Sequence, residues 1–104
     1  MSIRDQRKEL ANYKCEICGF PGEDLHHVFP GRKNRKISER IETVRWLCHS
    51  CHMKLHANDF FTLQRFQSEA SLELFKKYGE AETIKIIGKI YTEQQPKTRG
   101  KNGN

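Results

Sequence analysis

Two pairs of cysteines, Cys15-x-x-Cys18 and Cys48-x-x-Cys51, stand 29 residues apart in a chain of 104. A two-residue gap lets both sulfurs of one turn face a single tetrahedral ion at about 2.3 Å. Gly19 directly follows the first pair, as a tight knuckle favours. Two such knuckles make a closed four-thiolate site for structural Zn2+, tying the N-terminal knuckle to a helix that begins near Cys51. Disulfides are the competing reading, but Met1 to Leu10 is charged and lacks the apolar centre of a secretory signal. A thioredoxin-like redox pair accounts for one such motif, not for two.

The five histidines share the stretch 15–56 with the cysteines. His52 and His56 are four apart, which on a helix puts both imidazoles on one face. His26 and His27 are adjacent; on a strand they diverge, and in a twisted segment they stay near one site. His26, His52 and His56 together offer three neutral nitrogens. Three ligands leave positions open for water and a substrate oxygen, as in a catalytic rather than a structural metal site. His27 is then free to act as a base, and an ordinary pKa near ~6.5 suits that work at neutral pH. The alternative is unrelated surface histidines, and the pattern His-His…Cys-x-x-Cys-His-x-x-x-His argues against it. His49 reads as a knuckle-loop residue, with a DNA contact or a substitute ligand as its other readings.

These side chains need elements to position them. Residues 1–14 read as a short polar helix or arm. Residues 15–57 carry Gly19, Pro21, Gly22, Pro30 and Gly31, which mark turns and short elements. Asn58 or Asp59 can cap a helix running to about Tyr78, in which Leu63, Phe66, Ala70, Leu74 and Tyr78 recur at helical spacing. Gly79 fits its C-terminus. A second helix from about Glu80 puts Ile84, Ile87 and Tyr91 on one face, with Gly88 either weakening it or marking a close helix contact. Residues 58–92 are therefore a helical extension, and 93–104, polar and rich in Gly and Lys, a disordered basic tail. The spacing of Phe60, Phe61, Phe66, Phe75 and Tyr78 favours core packing over stacking on bases. In a strand Arg45 and Trp46 face opposite ways, so one of the two faces is expected to be buried, with Trp46 partly under the helix starting near Ser50.

Nineteen Lys and Arg against thirteen Asp and Glu give a net charge of +6. The excess is +4 in residues 1–56, zero in 57–92 and +2 beyond. Arg32, Lys33, Arg35, Lys36 and Arg40 crowd into nine residues, opposed only by Glu39. Beside a polar site, such a run points to a polyanion partner, most often nucleic acid; a solvated loop is the plain alternative. A chain this short buries only about 60–65% of its unfolded surface, so a metal staple suits it. No apolar run approaches the ~18 residues of a membrane span. Secretion, membrane insertion and a large multi-domain enzyme are disfavoured.

Cys15-Glu-Ile-Cys18-Gly, Leu25-His-His-Val28-Phe-Pro30 and Trp46-Leu-Cys48-His-Ser-Cys51-His-Met-Lys-Leu-His56 together resemble an HNH endonuclease of the zinc-knuckle kind common in bacteriophages. A weaker likeness, through Arg35-Lys-Ile-Ser-Glu39, Phe75-x-x-Tyr78-Gly79 and Gly88-Lys-Ile-Tyr91, extends to small phage HNH proteins of recombination or DNA processing. The resemblance implies an α+β fold: a small ββα-metal core stapled by the four-cysteine zinc, followed by two C-terminal helices. It implies His26, His52 and His56 as ligands of a catalytic divalent ion (Zn2+, Ni2+, Mn2+ or Mg2+) and His27 as the base. It puts Thr43 where the family has an Asn that braces the loop and helps orient the base. The segment Arg35–Glu39 or Glu42 is then a candidate to take over that orientation. DNA is the implied substrate, with the five basic residues holding flanking phosphates. The implied setting is the cytoplasm of a bacterium or phage-infected host. Two other functions stay open: a zinc-dependent DNA-binding module without catalysis, and a zinc-stapled interaction domain. The latter would pair through the C-terminal helices with its own copy or another phage protein.

Overall fold

The cysteine knuckle runs directly into Asp24-Leu-His-His27, too short and too mixed for a helix. The computed structural model, which describes residues 1–29, 35–89 and 91, forms a strand there. The elements run α1 (Ile3–Leu10), β1 (Asp24–His27), α2 (Arg35–Ser38), a 3-10 turn (Ile41–Thr43), β2 (Val44–Leu47), α3 (His49–Ala57) and α4 (Phe60–Ile87). β1 and β2 are antiparallel, with Asp24 opposite Leu47, Leu25 opposite Trp46, His26 opposite Arg45 and His27 opposite Val44. The chain is thus a small α+β fold with a two-stranded sheet, several helices and a four-cysteine cluster.

All four residues of β2 are buried, which a two-stranded sheet achieves only when helices cover both faces. The expectation that one of the Arg45 and Trp46 faces is buried is therefore exceeded. Arg45 is 4% exposed; its guanidinium donates to the carbonyls of Glu42 and Val44, approaches Glu69 at 3.4 Å and lies over the Phe66 ring of α4. Trp46 lies under α1 rather than under α3. The Arg4 guanidinium is 4.8 Å from its ring centre, and the Lys8 ammonium 5.8 Å. The N-terminal segment is thus a docked helix. Ser2 caps it, and Arg7 clamps it through two bonds to Glu16, at 2.9 and 2.6 Å, and one to the Ile41 carbonyl.

The apolar core joins Val28, Leu47 and Leu55 to Phe66, Leu74 and Ile87. The boundary at 57/58 is a change of sequence texture, not of packing. Asp59 caps α4 by accepting the Thr62 N–H at 3.1 Å. The two expected C-terminal helices are the two arms of α4, meeting in a kink at Gly79, whose φ of 86° and ψ of 172° are non-helical. On the first arm Phe66, Ala70 and Leu74 are buried, but Tyr78, at the bend, is exposed. Phe60 and Phe61, in the first turn ahead of the core, are exposed too, against the core expectation. The second arm buries Thr83, Ile86 and Ile87, whereas Ile84 and Tyr91 are half-buried; Gly88 (φ 95°) is its cap, not an interior residue. The expected tail, 93–104, lies outside the described residues.

Candidate functional site

The first knuckle closes through two backbone bonds, Cys15 N–H to the Phe20 carbonyl at 2.6 Å and Gly19 N–H to the Cys15 carbonyl at 3.0 Å. Gly19 takes φ 83°, the left-handed conformation that this residue type adopts without strain. Cys48 is the N-cap of α3, its sulfur accepting the Cys51 N–H. All four sulfurs lie within 4.8 Å of one another, and those of Cys18 and Cys48 are 3.7 Å apart. Thiolates bound tetrahedrally at ~2.3 Å sit about 3.8 Å apart, whereas a disulfide requires about 2.05 Å. The cysteines are free, and the donor set fits zinc. Burial pushes the Cys15 thiol up, but the backbone N–H groups of Cys18, Cys48 and Ile17 outweigh it and bring it down to about 7. Burial and the neighbouring sulfurs push Cys51 up to about 12. Four thiolates therefore share this space only with a cation among them.

A second cluster forms where β1 meets α3. The four-residue spacing on α3 brings the Nε2 atoms of His52 and His56 to 3.1 Å of each other. The His26 ring meets both, with centroids 5.2 Å from His52 and 5.5 Å from His56. One nitrogen from each of the three falls within 4.8 Å of the others. His26 is 5% exposed, and its Nε2 is buried without a hydrogen-bond partner. Burial first, then the charges of His52, His56 and His27, push its pKa down to about 4. A neutral imidazole with an unused buried nitrogen fits a metal ligand. The three residues would hold a divalent cation.

Two acidic residues complete the surroundings. Asp24, paired with Leu47 in the sheet, accepts from His52 Nδ1–H at 3.0 Å and from His49 Nδ1–H at 3.1 Å through the same oxygen. The His52 bond holds its carboxyl below the usual range, against burial and with help from His49. Because Nδ1 of His52 donates, Nε2 keeps the lone pair and faces the cluster. His49, read as a knuckle-loop residue, opens α3 and is exposed. His27 is not part of the three-imidazole cluster; its Nε2 lies 2.7 Å from Glu39 Oε2. Sequence reasoning missed Asp24 altogether and reached Glu39 only as part of a segment. Both act through partners distant in sequence, and no spacing rule marks them.

Thr43, expected where the family has an Asn that braces the loop and helps orient the base, bonds through its hydroxyl to the backbone around it. It is 3% exposed, and its hydroxyl donates to the Ser38 carbonyl at 2.7 Å and accepts the Arg40 N–H at 3.0 Å. Of the expected phosphate-holding residues, Arg32 and Lys33 lie outside the described residues, as does the side chain of Arg35. Lys36 is exposed. Arg40 is engaged within the fold, over the Tyr78 ring at 5.3 Å and 4.0 Å from Glu82.

A stretch of 49 residues is 41% identical to a mitochondrial DNA mismatch repair protein mutS homolog from Sarcophyton glaucum. The match takes in 42% of this chain but only 5% of that protein. No family model matches the chain, and no solved structure matches it. No helix among the described residues is long and apolar enough to cross a membrane. Chemically, the arrangement pairs four sulfurs that would leave a bound ion no open ligand position with three imidazoles that would leave one; His27, held by a carboxylate, adjoins His26 in the chain.

Proposed function

We propose that the chain is a metal-dependent endonuclease of the HNH kind, hydrolysing DNA phosphodiester bonds in phage or mobile-element DNA processing. The observation that carries this reading is the buried, unpartnered Nε2 of His26 converging with the ring nitrogens of His52 and His56. Three imidazole nitrogens leave coordination positions for oxygen ligands, which suits hydrolysis better than stapling of a fold, for which the cysteines already serve. The partial likeness to a protein named for DNA mismatch repair agrees with a DNA substrate.

When bound, a divalent cation supplies Lewis acidity toward a phosphate oxygen and the leaving oxygen. The residues do the rest. His27 takes a proton from a water molecule as that water attacks phosphorus in line. The new P–O bond forms as the bond to the 3′ oxygen breaks, and that oxygen is protonated from solvent. Asp24 keeps His52 in the tautomer that presents Nε2. Lys36 and the basic residues before it attract the phosphate backbone and set salt dependence rather than sequence preference.

One observation favours a second reading, a DNA-binding module without cleavage. Thr43 stands where the family has an Asn, and its hydroxyl is engaged by backbone groups rather than by His27. Supercoiled plasmid with Mn2+, Ni2+ or Mg2+, and EDTA as control, separates the two. Nicking that disappears in His27→Ala, with metal content unchanged, is the expected result. Gel retardation without nicking would overturn the nuclease reading in favour of the second.

A further inference from the structure

We propose that Glu39 is the positioning residue that orients His27, and that Thr43 serves this task by holding the backbone on both sides of Glu39. The inference rests on the nuclease reading for its role and on geometry for its existence. Glu39 Oε2 lies 2.7 Å from His27 Nε2, with both side chains about one third exposed or less (33% and 27%). A carboxylate only accepts, so the shared proton sits on Nε2. In the neutral ring the lone pair then belongs to Nδ1, the nitrogen left to meet a water. The same bond fixes the rotation of the ring.

Glu39 itself sits between two residues whose backbones Thr43 holds. The Thr43 hydroxyl donates to the Ser38 carbonyl at 2.7 Å and accepts the Arg40 N–H at 3.0 Å, spanning Glu39. Thr43 also accepts, through its own carbonyl, the Val28 N–H at 2.9 Å. Val28 follows His27 directly. The backbone carrying the base and the backbone carrying its carboxylate are thus both referenced to one buried residue. A single amide side chain can brace a loop and orient a base together. Here the two jobs are divided, the bracing to Thr43 and the orientation to Glu39.

The test reads the His27 ring by nitrogen-15 NMR at pH 8 in the full chain, alongside plasmid nicking with Mn2+. The wild type is expected to hold His27 as the Nε2–H tautomer, and Glu39→Ala to leave a mixture. In nicking, Glu39→Ala should lower kcat about a hundredfold with KM little changed, the scale of a misplaced reacting group. Glu39→Gln, whose amide oxygen can accept the same bond, should recover kcat to within about tenfold of wild type. Thr43→Val should shift the tautomer balance as Glu39→Ala does, whereas Thr43→Ser should keep it. Zinc content and circular dichroism confirm that each variant is folded. An Nε2 without a proton in the wild type, or an unchanged tautomer in Glu39→Ala, overturns the proposal. If the wild type does not cut DNA, the nuclease reading fails, and the tautomer measurement still decides whether Glu39 orients His27.

Discussion

Asp24 shows how a single side chain outside a candidate metal site can set the readiness of that site. Its one carboxylate oxygen accepts from both His49 and His52, and only the second of these belongs to the imidazole cluster. Removing the carboxylate frees the His52 ring to rotate and to take the other tautomer, which points a proton at the cluster. Asp24→Ala is therefore expected to weaken divalent-ion binding at the imidazole site about 10–100-fold, the usual effect of losing such a partner. Zinc held by the cysteines should be unaffected, because none of the four sulfurs depends on Asp24. Titration with Co2+ followed by absorbance, with thiolate and imidazole bands read separately, checks both halves. Unchanged affinity at the imidazole site would mean that the His52 ring is held by packing alone. At this scale the clustering of the cysteines, and of His52 with His56, was legible, because Cys-x-x-Cys and His-x-x-x-His are local rules of turn and helix. The carboxylates were not, since Asp24 meets His52 only through the register of β1 and the start of α3, and Glu39 meets His27 only through a loop.

Elements were legible where apolar periodicity is strong. Phe66, Ala70 and Leu74 mark the buried face of α4, and the glycine at 79 marks its break. The docking of α1 was not legible, because its bonds are made by charged residues. Arg7 holds Glu16, and Arg4 and Lys8 lie over the ring of Trp46. That ring is also covered by the backbone of Gly22, so closely that a Cβ there would overlap Trp46 Cδ1 and Nε1. Trp46 is 2% exposed, and α1 covers its side of β2, so the indole has little room to yield. Gly22→Ala is expected to destabilise the fold by about 1–3 kcal/mol, the common range for overpacking. Urea denaturation followed by Trp46 fluorescence measures it, and the wavelength of native emission should shift as the indole is displaced. An alanine variant with wild-type stability and emission would show that the knuckle, not the indole, gives way.

At the scale of the molecule, the four-sulfur and three-imidazole clusters are of different kinds, and the proposed function assigns stability to the first and chemistry to the second. The four-cysteine cluster joins the knuckle at 15–18 to the start of α3, two pieces of chain 30 residues apart, and Cys15, Cys48 and Cys51 are part of the core of a short chain. Binding energy at such a site counts as folding energy. In the imidazole cluster His56 is exposed and on the last turn of α3, so replacing it should disturb little packing. Cys48→Ser should therefore lose the zinc and lower the thermal midpoint by about 10 °C or more, the shift that a loss of about 2 kcal/mol brings in a domain of this size. His56→Ala should weaken the other ion with only a small change in midpoint. Metal analysis by mass spectrometry, paired with thermal unfolding of both variants, gives four readings from two proteins. A zinc-free Cys48→Ser that melts with the wild type would remove the structural role of the thiolates. A His56→Ala that melts as early as Cys48→Ser would mean that both ions hold the fold, and the separation between staple and chemistry would fail.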